Sequence, residues 1–304
     1  MAATLQGGRR RDGREGTGSF AVIDALVARV MTLNIWNLSG PWRQRRDEIV
    51  AWLGLVQPDV VCLQEVLESP DGRNQARWLA ERSGSGYEVA FAGTAMGDHS
   101  FGNAVLSRWP IDATATAPLP RSAASDETDR LVLHARTNGL DVFCTHLAWR
   151  LDDGAVREQQ ARALTDFVSA TADPSAAVPP VLVGDMNAVI DSAEMRYLTG
   201  LASMDGRSVC FIDAWEAAGG GGAGNTWDNR NPFAFAEREP SRRIDRIMLA
   251  WRPGSGVWLS RAALVCDVSL TGTFASDHFG LVADLSGRTA AGGAGAPPGG
   301  GAGA

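Results

Sequence analysis

The sequence contains no lysine, because all 28 of its basic residues are arginine. This absence excludes a lysine Schiff base, a Walker-type phosphate-binding lysine and a lysine general base. The glycine-rich stretch 219–224 is not followed by Lys-Ser or Lys-Thr. We therefore interpret that stretch as a surface loop and not as a phosphate-binding loop.

Cysteine is also scarce. The four cysteines, at positions 62, 144, 210 and 266, are far apart and form no C-x-x-C pair. This spacing predicts free thiols and disfavours a zinc site or a disulfide framework. No apolar run is long enough to span a bilayer, and the arginine-rich N-terminal stretch fits a secretory or twin-arginine signal poorly, because acidic residues follow it. We therefore expect a cytoplasmic protein without a transmembrane segment.

The composition is that of a globular protein, with 45% hydrophobic and 21% charged residues. Because the formal net charge is -7, any contact with nucleic acid would have to be local. We expect one domain over residues 29–287. It would lie between a disordered segment, 1–28, and a disordered Gly/Ala/Pro tail, 288–304. We expect this chain to be a monomer.

The stretch 181–188 organises the rest of the chain. Its apolar run follows two prolines, predicts a buried strand, and ends in Asp185 and Asn187. Residues i and i+2 of a strand point to the same face, so this pattern places a carboxylate beside an amide. A strand that runs into an Asx turn would give the same pattern, and this alternative stays open.

Other apolar segments carry polar groups in the same way. These groups are Asn34 and Asn37, Glu65, His146, Asp245, and the pair Asp277 and His278. Such residues are rarely buried without partners, so their convergence on one sheet edge predicts a metal site or a hydrogen-bonded catalytic network. Helical spacing predicts helices near 43–56, 74–82, 155–170, 191–201 and 211–217. The fold class is α/β, with two mixed sheets stacked face to face and helices outside.

Six short motifs follow one another along the chain. They are Leu33 to Asn37, Leu63 to Val66, Thr145 to Leu147, Gly184 to Asn187, Arg243 to Ile247, and Ser276 to His278. Together they resemble the endonuclease/exonuclease/phosphatase superfamily, which includes deoxyribonuclease I and the abasic-site endonucleases. The resemblance covers about residues 30–285. It implies a four-layered α/β sandwich of the deoxyribonuclease I type, with the site at one edge of the paired sheets.

Further short matches distinguish branches within this superfamily. Asp213 to Glu216, Thr226 to Asp228 and Ser276 to Leu281 look most like the sphingomyelinase-like and tyrosyl-DNA phosphodiesterase branches. The resemblance implies a divalent-metal-dependent hydrolase of phosphoester bonds, a phosphodiesterase that includes nuclease or nucleic-acid end processing among its candidate activities. A phospholipid or small-phosphoester hydrolase is the alternative. A non-catalytic binding protein is disfavoured, because every polar position of the motifs is filled.

The chemistry implied is in-line attack of water on a phosphoester. The expected metal ligands are Asn34, Glu65 and Asp277, whose oxygen donors suit Mg²⁺ or Mn²⁺ and disfavour zinc. The expected catalytic residues are His146, Asp185, Asn187, Asp245 and His278.

Each catalytic residue has an expected role. Asp185 would orient or deprotonate the water, and Asn187 would hydrogen-bond that water or the phosphate. By resemblance, Asp245 fixes the tautomer of His278, and the choice of base between Asp185 and His278 stays open. His146 would stabilise charge on a phosphoryl oxygen.

Aromatic and arginine side chains in loops are the candidates for substrate binding. They are Trp36, Asn37, Arg150, Arg157, Trp227 and Asn231. Trp227 could instead serve packing, and Arg157 could simply cap or solvate its helix. The expected partner is a phosphoester substrate, with nucleic acid as one candidate.

Overall fold

The computed structural model describes residues 24–121 and 128–288. The disorder expected for residues 1–23 and for the tail from residue 289 lies outside the described residues. Residues 24–28, expected to be disordered, instead begin the first strand, and Arg288 ends the last one. The two ends pair with each other in antiparallel register, with Asp24 opposite Arg288, and this pairing explains why both segments are ordered strand.

Twelve strands and six helices make up the described part of the chain. The strands are β1 (Asp24–Asn34), β2 (Val60–Glu68), β3 (Glu88–Met96), β4 (His99–Ser107), β5 (Ile111–Pro118), β6 (Leu131–Thr137), β7 (Leu140–His146), β8 (Val181–Asp185), β9 (Phe211–Asp213), β10 (Asp245–Ala250), β11 (Val257–Val265) and β12 (Gly280–Arg288). The helices are α1 (Trp42–Val56), α2 (Gln75–Ser83), α3 (Gly154–Thr171), α4 (Ala193–Leu198), α5 (Ala214–Ala218) and α6 (Pro232–Glu237).

The strands form two six-stranded sheets, in the orders β11-β12-β1-β2-β4-β3 and β5-β6-β7-β8-β10-β9. Each sheet contains one parallel pair, β1 with β2 and β7 with β8. The other pairs are antiparallel, so both sheets are mixed.

Three apolar clusters hold the layers together. Because side chains alternate across a strand, Val60 and Cys62 of β2 face the cluster between the sheets, while Val61 and Leu63 face α1 and α2. The second sheet packs its outer face on α3 and α4 in the same way. Strands covered on both faces explain the nearly continuous apolar runs of the sequence. The four-layered α/β sandwich predicted from the sequence is confirmed.

Some elements differ from those predicted. Residues 211–217, expected to be one helix, form β9 followed by α5, because β9 pairs with the edge of β10 and Asp213 then caps α5. Strand β5, strand β11 and helix α6 were not predicted. β5 is an edge strand of alternating small residues, and it lacks the apolar pattern by which strands are recognised.

Gly184 fixes the approach of β8 to β7. Its φ is +143°, and a Cβ at this position would lie 1.9 Å from the carbonyl oxygen of Thr145. We expect Gly184→Ala to lower the free energy of unfolding by about 3 kcal/mol, because it combines backbone strain with a clash against fixed backbone. Urea unfolding measures this change. Gly54→Ala, in α1 with no atom within 4 Å of the added Cβ, is the control and should stabilise the protein by about 1 kcal/mol.

Candidate active site

A cleft of about 270 Å³ opens at one edge of the sandwich, where β1, β7 and β8 end, β10 begins and β2 has an irregularity at Glu65. Parallel neighbours end at the same edge, and an antiparallel neighbour begins there. The lining residues are Asn34, Trp36, Asn37, Glu65, His146, Trp149, Asp185, Asn187, Trp227, Glu237, Glu239, Arg242, Ile244, Asp277 and His278. The polar strand ends predicted from the sequence therefore converge.

Asp185 lies at the centre of the polar groups. Its Oδ1 accepts a hydrogen bond from the backbone N–H of Asn187 at 2.8 Å, and its Oδ2 accepts one from Nδ2 of Asn34 at 3.1 Å. The same Oδ2 lies 3.5 Å from Nε2 of His146 and 3.8 Å from Nε2 of His278. One carboxylate oxygen is thus held in place, while the other faces both imidazoles.

His278 and Asp245 form a buried pair. Nδ1 of His278 lies 2.9 Å from Oδ2 of Asp245, which fixes the ring and directs Nε2 into the cleft. Two backbone N–H groups, those of Ile244 and Asp245, donate to Oγ1 of Thr226. Trp227 packs edge-on against His278 with the ring centroids 5.1 Å apart.

Burial and charge set the protonation of this group. Burial lowers the pKa of His278, but the carboxylates of Asp245 and Asp185 outweigh it, so the pKa lies well above its usual range. Burial and the charge of Asp245 raise the pKa of Asp185. The neighbouring positive charge of His278 favours the ionised form of Asp185.

The pKa of His146 is shifted in the direction opposite to that of His278. Burial, the charge of Arg130 and the charge of His278 lower the pKa of His146 well below its usual range. Nη1 of Arg130 lies 2.8 Å from Nδ1 of His146, and because a guanidinium only donates, Nδ1 must accept. The neutral ring therefore carries its proton on Nε2, where it can donate to an oxygen in the cleft.

Glu65 and Asp277 form an acidic pair, and Nδ2 of Asn34 connects Glu65 to Asp185. The Glu65 carboxylate accepts hydrogen bonds from the side-chain amides of Asn34 at 3.3 Å and Asn37 at 2.8 Å. Burial raises the pKa of Asp277 to about 7, and the charge of Glu65 acts in the same direction. Two carboxylates that repel each other beside an amide fit a hard divalent cation, which would relieve the repulsion.

A second group of ligand atoms lies nearby. Atoms of Asp185, Asp245 and His278 lie within 4.8 Å of one another, close enough that these residues could hold a metal ion. In this group, however, Nδ1 of His278 already makes its hydrogen bond to Asp245. The set around Glu65 consists of oxygen ligands only, and both Glu65 oxygens and Oδ1 of Asn34 also accept hydrogen bonds from neighbouring N–H groups.

The backbone is strained around the cleft. Trp36, Asn37, Glu65 and Asn187 all have positive φ values, between 39° and 59°. Residues other than glycine rarely adopt this conformation, and it persists where the surroundings impose it. Such strain at four cleft positions is typical of a functional site.

Arg45 braces two loops that lie beside the acidic pair. Its guanidinium is fully buried and donates to the carbonyl oxygens of residues 35, 36, 37 and 39 and of Ala275. It therefore ties the loop after β1 to the loop before Asp277.

We expect Arg45→Met to lower the free energy of unfolding by about 3 kcal/mol, because several buried carbonyl groups lose their donor. Thermal unfolding measures this, with the exposed Arg82→Met in α2 as the control that should change stability by less than about 0.5 kcal/mol. Equal stability of the two variants would show that Arg45 does not brace the loops.

The structure separates the predicted substrate-binding residues into two groups. Trp36, Asn37 and Trp227 line the cleft. Arg157 does not, because it is buried against Glu194 and donates to the carbonyl oxygens of Ala148 and Arg150, so it supports a loop.

Two other predicted substrate-binding residues also lie outside the lining. The guanidinium of Arg150 lies against the carboxylate of Asp152. Asn231 caps α6, and its Nδ2 donates to the carbonyl oxygens of Ser276 and Asp277, so it positions the loop that carries Asp277.

Several cleft residues were not predicted. Trp149, Glu237, Glu239 and Arg242 line the cleft from loops and from α6. Arg130 follows no motif, but the hairpin of β6 and β7 brings it beside His146, since Leu131 immediately precedes the pair Val132–Thr145. From the sequence, Arg130 could have been found only by predicting the register of the β6–β7 hairpin correctly.

The family model of the Endonuclease/Exonuclease/phosphatase family matches residues 31–278 of this chain. The chain belongs to that family. Membership supports phosphoester hydrolysis as the general activity. No curated protein matches the sequence significantly.

Solved structures share the fold. An endonuclease/exonuclease/phosphatase from Beutenbergia cavernae DSM 12333 is 25% identical, with a TM-score of 0.63, and the match covers 86% of this chain and 72% of that one. A Bacteroides vulgatus family member is 19% identical, with a TM-score of 0.65 and coverage of 86% and 99%. D. rerio TDP2, complexed with single strand DNA product, is 22% identical, with a TM-score of 0.64 and coverage of 85% and 98%.

Within the described ranges, no helix combines the length and apolar character needed to cross a membrane.

Proposed function

We propose that this protein is a divalent-metal-dependent phosphodiesterase that cleaves its substrate by in-line attack of water. One observation carries the proposal. The carboxylate of Asp185 faces a cationic His278, a neutral His146 and the acidic pair in a single cleft, so each role in phosphoester hydrolysis has a candidate group.

Asp185 is the proposed base. Its Oδ2 lies at the centre of the cleft, while the Asn187 N–H holds Oδ1 and fixes the carboxylate plane. Oδ2 would accept a proton from the attacking water or align that water for attack. The side chain of Asn187 donates to the carbonyl oxygen of Leu147 and so keeps the turn after β8 in place.

The two histidines would stabilise the charge that builds on the phosphoryl oxygens. Nε2–H of His278, positively charged through its pair with Asp245, would donate to one oxygen. Nε2–H of neutral His146 would donate to another, with Arg130 fixing its tautomer. Preorganised donors of this kind act at the transition state without reorganising.

Glu65, with Asp277 and Asn34, would hold the divalent ion, Mg²⁺ or Mn²⁺, which when bound withdraws charge from a phosphoryl oxygen. The Asn37 amide fixes the Glu65 carboxylate for that role.

Hydrolysis of a phospholipid or a small phosphoester is the second candidate. Trp149, which lines the cleft, is 52% exposed. Leu151, two residues later, is 58% exposed, and Phe235 is 64% exposed in α6, the helix that places Glu237 in the cleft lining. Exposed apolar side chains around an active site are typical of surfaces that contact lipid or another apolar partner.

A substrate panel tests the proposal. Bis-p-nitrophenyl phosphate, p-nitrophenyl phosphate, single-stranded DNA, a 5′-tyrosyl oligonucleotide and sphingomyelin are incubated with Mg²⁺, with Mn²⁺ and with EDTA. We expect metal-dependent cleavage of diesters in preference to the monoester. Cleavage of sphingomyelin alone would select the second candidate, and cleavage of the monoester alone would contradict the phosphodiesterase assignment.

A further inference from the structure

A second cavity, of about 300 Å³, lies beside the cleft between the first turns of α1 and α2. Its ionisable and aromatic lining residues are Trp42, Arg43, Arg46, Arg73, Trp78 and His99. No aspartate or glutamate is among the described residues that line it. We call it the arginine–tryptophan pocket. In a chain with a net charge of -7, a lining of this kind is a local basic site.

The pocket and the cleft share a wall. Asn37 lines the cleft and the next residue, Leu38, lines the pocket, while Glu65 and Leu67 of β2 do the same. Nε2 of Gln75 in α2 donates to the carbonyl oxygen of Asn37 at 2.9 Å. Neighbouring residues of one loop and of β2 therefore line both spaces.

Positive charge in the pocket is incompletely paired. Arg43 makes no ion pair or side-chain hydrogen bond with any described residue. Nε of Arg46 is buried without a hydrogen-bond partner, and this side chain lies 3.9 Å from the Asp47 carboxylate, beyond hydrogen-bond range. Arg73 pairs with Asp71 at the solvent-exposed rim. An anionic ligand would therefore gain contacts that the protein itself does not supply.

The aromatic residues define the ligand further. The guanidinium of Arg46 stacks on Trp78 at 4.2 Å from the ring centroid, and Trp42 and Trp78 are both only half-buried. An inorganic anion would gain nothing from contact with the two indole rings, and an acyl chain would supply no counter-charge to the three guanidinium groups. Aromatic faces beside arginines are the combination that binds an unstacked base together with its phosphate.

We propose that the arginine–tryptophan pocket binds one nucleotide of a single-stranded nucleic acid, next to the phosphodiester held in the cleft. This inference rests on the proposed function and narrows its substrate to nucleic acid. Arg43 and Arg46 contact the phosphate, and Trp42 or Trp78 stacks on the base. A volume of about 300 Å³ is at the lower end of the range for ligand pockets, which suits one nucleotide.

Binding of a fluorescein-labelled ten-residue oligothymidylate, measured by anisotropy in EDTA, tests the pocket separately from turnover. We expect the double variant Arg43→Ala, Arg46→Ala to raise Kd at least 10-fold. The negative slope of the logarithm of the association constant against the logarithm of the salt concentration should become shallower by about 1.4, as for two lost phosphate contacts on a single strand. Trp78→Leu should raise Kd about 10-fold with an unchanged slope. Arg82→Ala, at the far end of α2, is the matched control and should bind as the wild type does.

Turnover supplies a second readout. The ratio of kcat/KM for the oligonucleotide to kcat/KM for bis-p-nitrophenyl phosphate should fall about 10-fold in the double variant. Unchanged oligonucleotide affinity in that variant would overturn the proposal. So would a loss of affinity seen only for phosphatidylglycerol vesicles. If the wild type bound the oligonucleotide through these residues but hydrolysed no phosphoester, the pocket would stand and the proposed function would fail.

Discussion

Replacement of Glu65 by glutamine is expected to lower the metal-dependent kcat about 1,000-fold, because a neutral amide holds a divalent cation far less well than a carboxylate does. Glutamine keeps the shape of the side chain, and its one amide oxygen can still accept a hydrogen bond from Asn34 or from Asn37, so the fold should persist. Initial rates on bis-p-nitrophenyl phosphate over a Mg²⁺ titration measure the loss.

The matched control is Glu81→Gln, an exposed glutamate in α2 outside the cleft. Its rates should equal those of the wild type at every Mg²⁺ concentration. If Glu65→Gln shows undiminished turnover and the same Mg²⁺ dependence, the ion is not held at Glu65. The group formed by Asp185, Asp245 and His278 would then be the better candidate for the metal site.

Removal of the His278 imidazole should reduce kcat by about 1,000-fold, within the usual range for a group that moves or donates a proton at the transition state. His278→Ala also deprives Asp185 of the positive charge that favours its ionised form, so the two losses should not add. We therefore expect the double variant Asp185→Ala, His278→Ala to be nearly as active as the weaker single variant.

The chain supplies a control of the same kind for this pair. His134 and Asp141 form another buried histidine–aspartate pair with the same 2.9 Å separation, but they do not line the cleft. His134→Ala should lower stability and leave kcat per folded molecule unchanged. Equal losses of kcat in the His134 and His278 variants would show that both residues act only through folding.

Much of the site could be predicted from the sequence, because the pairing of the strands determines which side chains lie together. His146 and Asp185 end their strands, Asn34 ends β1, and parallel pairing brings such ends together. Glu65 follows an apolar run, but β2 continues past it after a register shift. A residue that acts from a strand end is visible in sequence, since the periodicity of the run shows where its side chain points.

Residues that act through tertiary contacts were not visible. Arg45 looks like any helix arginine, and only the folding of two distant loops around it shows that it braces them. Asn231 was assigned to substrate binding, although the Asn-Pro pair is also a helix start signal, and the structure makes it the cap of α6. The arginine–tryptophan pocket was missed because its residues come from two helices, two strands and the loops between them.

The proposed roles of the cleft residues depend most on metal-dependent hydrolysis of a phosphodiester at this cleft. The most direct measurement is the rate of bis-p-nitrophenyl phosphate hydrolysis by the wild type and by the Asp185→Ala, His278→Ala variant, each with Mg²⁺ and with EDTA. We predict turnover by the wild type with Mg²⁺, its loss in EDTA with recovery when Mg²⁺ is restored, and a loss of about 1,000-fold in the variant. Equal rates for the folded variant and the wild type, or full activity in EDTA, would contradict the account.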